Sequence, residues 1–543
     1  MSVRSVKKFL FSGIFLGLFS GMGYGANFIN SVHEYDLDNG LKLLVRVDHR
    51  APVVMSQVWY QVGSRDESIG QTGVSHFLEH MMYQGTETFP PGELMRLMAS
   101  SGGISNAYTY QDGTMYADFM PKNQLGLIFQ LESDRMENLS FGSDQFIKEK
   151  QVILEERRGQ IEDSPMGYVL ETLNYVGQMG SPYANPVIGW KSDIDQLSIQ
   201  DLDTWYSRYY VPNLATVIVV GDVNPDTVYQ LALQYFGGIK SGDLRVEKNY
   251  PFIPQSGVKH LLIKRPDVQV PALVMSFRVP SIASSQAASS DDQEQGYGLI
   301  ILANLLAGME SSRMQQDLVR DQNIASQITI QYSSLARFNT LLTITAEPMP
   351  GVSLGQLEAA IFTEIQNLSQ TPPSPSEINR AVTYAESQHL YNLDSPFGQA
   401  SLLGQLSSGA GLNWQLSSNY LLHLKTVGSD ELVKLINQYL TPDNLVDAEL
   451  VPAPADLSLN TNINSNTSAP EASSGPSIDI LNNEKVPKFF LSNPSSAVEP
   501  QKFSQLDHDP ALLNNFAIRD RAEIASQTEV QDHRVESKLG NFL

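Results

Sequence analysis

The stretch from Gly73 to Gly85 constrains the fold more than any other part of the chain. Its apolar residues recur at helical spacing, which predicts a mostly buried α-helix. These residues are Val74, Phe77, Leu78, Met81 and Met82. Three polar residues, His76, Glu79 and His80, fall on one turn of the same helix. Because burying polar groups without partners costs free energy, this turn is expected to bind something.

A divalent metal ion fits this turn. Residues four apart on a helix are neighbours, so His76 and His80 can reach one ion. Two neutral imidazoles suit zinc, and Glu79 projects beside them, where a carboxylate can take a proton from a water at the open position of the metal. The motif therefore predicts the core of a metal-dependent hydrolase.

The chain contains no cysteine. Disulfides, thiolate catalysis and cysteine-based zinc sites are therefore excluded, and any metal must be bound by histidines and carboxylates. The formal net charge of -23 argues against a nucleic-acid partner, which would need a basic face. It is compatible with cationic peptide substrates.

The first 25 residues read as a secretory signal peptide. Arg4, Lys7 and Lys8 form a positive segment, and Phe9 to Met22 an apolar core that is shorter than a membrane-spanning helix usually needs. We therefore expect an exported protein, periplasmic or secreted, with no stable membrane insertion after the signal is cleaved.

The rest of the chain mixes strand and helix patterns and predicts an α+β sandwich. It is divided into a catalytic zinc-binding domain (26–240), a linker (241–258), a homologous non-catalytic domain (259–455) and a largely disordered tail (456–543). Each domain is expected to have a mainly antiparallel sheet covered by helices on one face. In the first domain, strands are predicted at 41–47, 53–62, 105–110, 114–120 and 214–223, and helices at 91–100, 123–138, 143–162, 166–179, 199–209 and 225–236.

The second domain is predicted from an internal repeat. Gly296 to Gly308 spans the same interval as Gly73 to Gly85, and Tyr439 to Pro442 resembles Tyr210 to Pro212. An offset of 223 aligns Leu299, Leu302 and Ala303 with His76, Glu79 and His80, so the second copy is not expected to bind metal. In the tail, Val486 to Leu491 forms an apolar patch that is either a docking site or an accidental cluster.

Two histidines leave the metal without its third protein ligand. Glu149 and Glu156, seven residues apart, lie on one face of a predicted helix, and Glu155 points about 100° away. Spacing alone does not choose between these faces.

The motifs together resemble the inverted-motif zinc peptidases, the family of pitrilysin, insulin-degrading enzyme and mitochondrial processing peptidase. The resemblance is carried by Asn39-Gly-Leu, His76-Phe-Leu-Glu-His80, Asn106-Ala-Tyr-Thr109 and the acidic helix, and the chain is most similar to the short two-domain members. In that family a glutamate about 76 residues after the second histidine is the third ligand, and an accessory glutamate lies seven residues before it. The resemblance therefore implies one zinc per chain bound by His76, His80 and Glu156, with Glu79 and Glu149 as catalytic residues.

The same resemblance implies a peptide-binding strand. Asn106 and Ala107 belong to the strand along which family members bind extended substrate by main-chain hydrogen bonds. The family also pairs an arginine with a tyrosine seven residues later. Arg320 is retained, but Ser326 and Gln327 stand where the tyrosine should be, which puts the substrate role of Arg320 in doubt.

The resemblance also implies a partner. Family members enclose substrates between four such domains and this chain supplies two, so we expect either a heterodimer with a paralogous subunit that lacks the zinc motif, or a homodimer. The predicted function is a zinc endopeptidase that hydrolyses peptides or small unfolded polypeptides in an enclosed chamber. The alternative is a non-catalytic assembly or scaffold subunit, because the family contains members without the motif.

Overall fold

A computed structural model describes residues 32–243, 250, 255–286 and 294–453. These residues all belong to the compact unit Met1–Ser495, and the second unit, Ser496–Leu543, lies outside them. The predicted signal peptide, part of the linker and the apolar patch at 486–491 also lie outside the described residues. No helix within the described ranges combines the length and apolar character needed to cross a bilayer.

Residues 32–243, called the first half, form a six-stranded sheet. Its strands are β1 (Val32–Asp36), β2 (Lys42–Val47), β3 (Val53–Tyr60), β4 (Ile104–Thr109), β5 (Thr114–Pro121) and β6 (Ala215–Gly221). The order is β1-β2-β6-β3-β5-β4, and only the β2 and β6 pair is parallel. The strand β4 therefore lies at an edge of the sheet, with one side unpaired in this structure.

The helices of the first half cover one face of this sheet. They are α1 (Val74–Met81), α2 (Glu93–Ser100), α3 (Leu125–Glu137), α4 (Ser143–Arg157), α5 (Pro165–Gly177), α6 (Lys191–Gln196), α7 (Ile199–Tyr209) and α8 (Pro225–Phe236). Phe77 and Leu78 of α1 are fully buried in a core that includes alternate residues of β6, Val217 and Val219. Burial of the apolar face of α1 fixes the opposite, polar turn relative to the sheet.

Residues 255–453, called the second half, form a five-stranded sheet. Its strands are β7 (Lys259–Arg265), β8 (Ala272–Val279), β9 (Ala325–Tyr332), β10 (Thr340–Pro348) and β11 (Leu445–Pro452), in the order β7-β11-β8-β10-β9. Here too one pair, β7 and β11, is parallel and the others are antiparallel. The order repeats β2-β6-β3-β5-β4 of the first half strand by strand.

The helices of the second half repeat the first layer as well. They are α9 (Ile282–Gln286), α10 (Gln295–Ala303), α11 (Leu354–Gln370), α12 (Pro375–Asn392), α13 (Pro396–Gly404), α14 (Leu416–Thr426) and α15 (Ser429–Tyr439). Helix α10 corresponds to α1 and is buried against the second sheet through Leu299, Ile301 and Leu302. The predicted α+β fold with two similar sheets is confirmed.

A short cap motif marks the correspondence further along the chain. Helix α5 follows Ser164, whose hydroxyl accepts a hydrogen bond from Gly167 N, and α13 follows Ser395, which accepts one from Gly398 N. Both helices have proline at the first position, where its missing N–H is not needed. The interval between the caps is 231 (395 minus 164), so the offset of 223 applies near α1 and lengthens later in the chain.

Each sheet also carries one helix from the other half on its second face, which the sequence did not predict. Helix α5 packs Val169 and Leu173 on the second sheet, and α13 packs Ala400 and Leu403 on the first. At Gly404 an ideal Cβ would lie 2.2 Å from Cε2 of Trp59, so only glycine lets α13 approach the sheet this closely. The exchange of helices joins the two halves through buried apolar surface.

Two elements were missed and one was simplified. The strand β1 is largely exposed, so it shows no alternation of apolar residues, and α6 is only six residues long. The predicted helix at 143–162 is α-helical to Arg157 and continues as a π-helix over Arg158–Glu162. Single π-turns of this kind are frequent beside functional sites.

Candidate metal centre

The start of α1 is fixed by the loop before it. Gly73 has φ +86°, and an ideal Cβ there would lie 2.5 Å from the carbonyl oxygen of Ile188, so a side chain would clash. The buried carboxylate of Glu67 accepts hydrogen bonds from Gly73 N at 2.7 Å and Ser75 N at 2.9 Å. It therefore satisfies N–H groups that a helix start leaves without intrahelical partners.

Helix α1 directs His76, Glu79 and His80 to one place. The imidazole centroids of His76 and His80 are 4.7 Å apart. Glu79 is 6 % exposed and His80 is 9 % exposed. The predicted polar turn is thus present and buried, as helical spacing required.

Helix α4 brings its glutamates to the same place. Glu156 Oε2 lies 3.5 Å from His80 Nε2 and 3.8 Å from His76 Nε2. Glu155 points to solvent and receives a hydrogen bond from Arg158 Nε at 2.9 Å. The geometry therefore separates the two faces of α4 that sequence spacing left open, with Glu149 and Glu156 inward and Glu155 outward.

Three of these side chains form a group with the spacing of a metal site. His76, His80 and Glu156 each offer one ligand atom, and these atoms lie within 4.8 Å of one another. No other His, Cys, Asp and Glu group in the described part of the chain meets this closely. Ligands of a tetrahedral zinc, bonded at about 2.0–2.1 Å, stand roughly 3.3 Å apart, so the side chains fit the ion with small adjustments.

Glu149 orients one imidazole from behind. Its Oε1 lies 2.8 Å from His80 Nδ1, and its Oε2 accepts a hydrogen bond from Gln84 Nε2 at 2.9 Å. With Nδ1 donating to Glu149, His80 presents the lone pair of Nε2 toward Glu156. A carboxylate behind a histidine is the usual support of a metal-binding imidazole.

The charges around the site favour a cation. Burial alone would lower the pKa of His80, but hydrogen bonds to Glu149 and Glu156 and the charge of Glu79 raise it to about 9. Burial alone would raise the pKa of Glu156, but the hydrogen bond with His80 and the nearby imidazoles lower it to about 2. Three carboxylates around two imidazoles thus hold positive charge at this point, and a divalent ion would satisfy them together.

Thr109 is a site residue that the sequence did not single out for this role. Its hydroxyl donates a hydrogen bond to Glu79 Oε2 at 2.7 Å. Thr109 is the last residue of β4, so the same strand that carries Asn106 also orients the carboxylate of Glu79. The motif Asn106-Ala-Tyr-Thr109 contained the signal, but a hydroxyl contact across elements is not visible in spacing.

Arg157 is a second residue that sequence reasoning missed. It is 5 % exposed and forms a two-bonded ion pair with Glu171 at 2.8 and 2.9 Å. The same guanidinium donates to the carbonyl oxygen of Gly189 at 2.7 Å, and Gly189 packs backbone to backbone against Gly73. Arg157 thereby ties the end of α4, next to Glu156, to the start of α1.

The predicted substrate residues lie in different surroundings. Asn106 is exposed on the edge strand β4, and its Oδ1 accepts a hydrogen bond from Ala107 N at 2.9 Å. Arg320 is half exposed and pairs with Glu310 at 2.7 Å in the second half. The substrate roles of Asn106, Ala107 and Arg320 stay predictions.

Two family profiles match the chain. Residues 42–189 match the family described as Insulinase (Peptidase family M16), and residues 196–384 match the description Peptidase M16 inactive domain. The first match contains His76, Glu79, His80 and Glu156. The second covers most of α10 and α12, where the second half lacks the motif.

Similar proteins span the same two halves. The zinc protease PqqE of Helicobacter pylori is 27 % identical over 80 % of this chain and 96 % of its own length. The uncharacterised zinc protease YmxG of Bacillus subtilis is 23 % identical over 76 % of this chain and 96 % of its own. A crystal structure of a protease from Helicobacter pylori covers 78 % of this chain and 99 % of its own, with a TM-score of 0.70 and 26 % identity.

A longer structure places the chain within a larger architecture. The periplasmic protease PqqL of Escherichia coli matches with a TM-score of 0.66 and 18 % identity, and the match covers 84 % of this chain but 52 % of PqqL. At that identity the likeness concerns the fold alone. From the two profiles, the similar zinc proteases and the shared fold, we conclude that the chain belongs to the M16, or insulinase, family of peptidases.

Proposed function

We propose that this protein is a zinc-dependent endopeptidase. One observation carries the proposal, namely the convergence of His76 Nε2, His80 Nε2 and Glu156 Oε2 beside the buried carboxylate of Glu79. Two imidazoles and one carboxylate are a donor set of catalytic zinc sites, which keep a fourth position open. The names of the similar zinc proteases agree with this metal.

The residues of the chain divide the work at the site. A zinc ion bound there supplies a Lewis acid, which acidifies a water molecule and polarises the carbonyl of the scissile peptide bond. Glu79 takes the proton of the attacking water on its carboxylate and then transfers that proton to the leaving amine. Thr109 keeps Glu79 in place through its hydroxyl, and Glu149 keeps His80 in the tautomer that leaves Nε2 free for the ion.

The edge of β4 supports the choice of a peptide substrate. An extended peptide can add to an unpaired strand edge by main-chain hydrogen bonds, which accepts many sequences. The side chain of Asn106 bonds Ala107 N and Tyr108 OH, so it occupies one of these main-chain groups until a substrate carbonyl replaces it. Because Thr109 of the same strand contacts Glu79, a peptide on β4 would pass the site of hydrolysis.

The chain is proposed to act with a second chain in an enclosed chamber. It matches about half the length of PqqL, so a second pair of domains would come from another polypeptide. The partner is a paralogous subunit without the zinc motif or a second copy of this chain. The exposed ion pair of Arg320 and the missing tyrosine after it favour a partner that supplies both residues.

Export is proposed from the N-terminal sequence. The positive segment and apolar core of the first 25 residues favour secretion, and a chain without cysteine folds equally well in an oxidising compartment. The location is therefore periplasmic or, after passage through an outer boundary, extracellular.

A paired measurement of metal and activity tests the proposal. Purified protein is expected to contain about one zinc per chain and to hydrolyse peptides from a mixed library at internal bonds. Protein that binds zinc but hydrolyses no peptide, alone or with a paralogous subunit, would instead favour a non-catalytic assembly subunit.

A further inference from the structure

The second half contains a cavity at the place that corresponds to the metal centre. The metal centre lies between α1 and α4, and the cavity lies between their counterparts α10 and α12. Ala303 lines it where the offset of 223 places His80. Gln388 lines it where the interval of 232 between the helix caps Gly142 and Ser374 places Glu156.

The cavity is small and mostly aromatic. Its volume is about 40 Å³. Because about 10–15 Å³ accommodates one water, this volume corresponds to roughly three waters or the last three heavy atoms of a side chain. Its lining consists of Ile300, Ala303, Asn304, Tyr332, Ser334, Tyr384, Ala385, Gln388, His389 and Tyr420. Among these described residues none is an acid, a lysine or an arginine.

Two carboxamides in the lining lack hydrogen-bonding partners. Asn304 is 2 % exposed, and its Oδ1 makes no hydrogen bond within the described part of the chain. Gln388 likewise makes no side-chain hydrogen bond with any described residue. A buried amide left unpaired costs about 1–3 kcal/mol, so native proteins rarely keep one without a use.

The imidazole in the lining stays neutral. Burial lowers the pKa of His389 to about 4, and its ring stacks on that of Tyr420 with centroids 4.7 Å apart. A charged group entering the cavity would therefore lose its hydration without gaining an opposite charge, which is strongly unfavourable. The occupant must be neutral.

A primary carboxamide satisfies these conditions together. It is neutral, it has three heavy atoms, and it offers both a donor and an acceptor to the amides of Asn304 and Gln388. We propose that this cavity binds the carboxamide of a glutamine or asparagine side chain of a peptide. The proposal rests on the proposed function only in taking a peptide as the ligand.

The test measures binding rather than hydrolysis. Full-length protein with Glu79→Gln is titrated into fluorescent peptides that are identical except for glutamine, leucine or glutamate at one position, and the position is moved along the peptide. At one position the glutamine peptide is expected to bind about tenfold more tightly than the others, since two hydrogen bonds are gained. Excess propionamide is expected to remove this advantage by competing for the cavity.

Two variants locate the preference. Asn304→Leu and Gln388→Leu, each added to Glu79→Gln, are expected to equalise the glutamine and leucine peptides. Thermal unfolding should not occur at lower temperature in Asn304→Leu, because the removed polar group had no partner. Asn379→Leu, which replaces an exposed asparagine of α12, is expected to leave the preference unchanged.

Equal affinities at every position would overturn the proposal, as would a preference that survives in both variants or the absence of measurable binding. The result is separable from the proposed function because Glu79→Gln cannot report hydrolysis. A wild-type protein that hydrolyses peptides while its Glu79→Gln variant ignores glutamine rejects the cavity alone.

Discussion

The two halves build the same helix layer with opposite contents. In the first half α1 buries His76, Glu79 and His80, and in the second half α10 buries Leu299 and Leu302 at corresponding positions. Both helices pack on sheets with the same strand order. The fold therefore does not need the polar residues, and their burial in α1 is explained by what they bind.

The surroundings of the two helices differ in the same way. Behind α1, Glu149 bonds His80 and Thr109 bonds Glu79, so each buried polar group has a partner. Beside α10 the residue that corresponds to Glu149 is Ala381, which is fully buried. Partners of the ligands are thus present only where the ligands are, as expected when a metal has to be oriented.

The sharpest test of this contrast removes the third ligand. Glu156→Ala is expected to lower zinc affinity more than about 100-fold and to abolish hydrolysis, because loss of a ligand exceeds the effect of losing a supporting contact. Glu155→Ala, its exposed neighbour, should retain about one zinc per chain. Both are measured by metal analysis after dialysis against a chelator, and loss of metal in Glu155→Ala alone would contradict the geometry.

The connection between α4 and α1 gives the next effect. Arg157→Ala is expected to weaken zinc binding by about 10–100-fold, because the end of α4 beside Glu156 loses its attachment to Gly189. Arg158→Ala is the control, since Arg158 is half exposed and pairs with the exposed Glu155. Competition with a fluorescent zinc indicator measures both. Equal affinities in the two variants would remove Arg157 from the support of the site.

The exchanged helices provide a test of the shared architecture. Gly404→Ala is expected to lower the free energy of unfolding by about 1–3 kcal/mol, because the new Cβ would overlap the indole of Trp59. Gly177→Ala on α5 places its Cβ 3.3 Å from methyl groups of Leu341, which can shift, and gains helix propensity. It should be neutral or stabilising in chemical denaturation. The reverse order would show that α13 is not packed on the first sheet in this way.

The smallest expected effect concerns the orientation of Glu79. Thr109→Val keeps the shape but removes the hydroxyl, so kcat should fall about tenfold, the loss of one hydrogen bond to a charged group. Zinc content should not change. Thr109→Ser restores the donor and is expected to recover most of the rate, whereas an equally slow serine variant would assign the loss to packing.

The sequence predicted the parts of the site that depend on helical spacing. His76, Glu79 and His80 meet on one turn because a helix repeats every 3.6 residues. Glu149 and Glu156 share a face of α4 for the same reason. Choosing that face over Glu155 required a family resemblance, because spacing within one helix contains no information about which neighbouring helix it packs against.

The contacts that the sequence did not predict all cross between distant elements. Thr109 reaches Glu79 from an edge strand, Arg157 reaches Gly189, and α5 and α13 exchange sheets. The repeated Ser-Pro-x-Gly caps were visible in the sequence, but a cap specifies where a helix begins and not what it covers. Such contacts arise from tertiary packing.

The most direct test of the central claim is zinc content and peptide hydrolysis measured on the same preparations of wild type and Glu79→Gln. Because Glu79 is placed as a base and not as a ligand, we predict about one zinc per chain in both proteins. Hydrolysis should fall by at least the 10²–10⁴-fold typical of losing a general base. A Glu79→Gln protein that lost its zinc, or that hydrolysed peptides at the wild-type rate, would contradict the account.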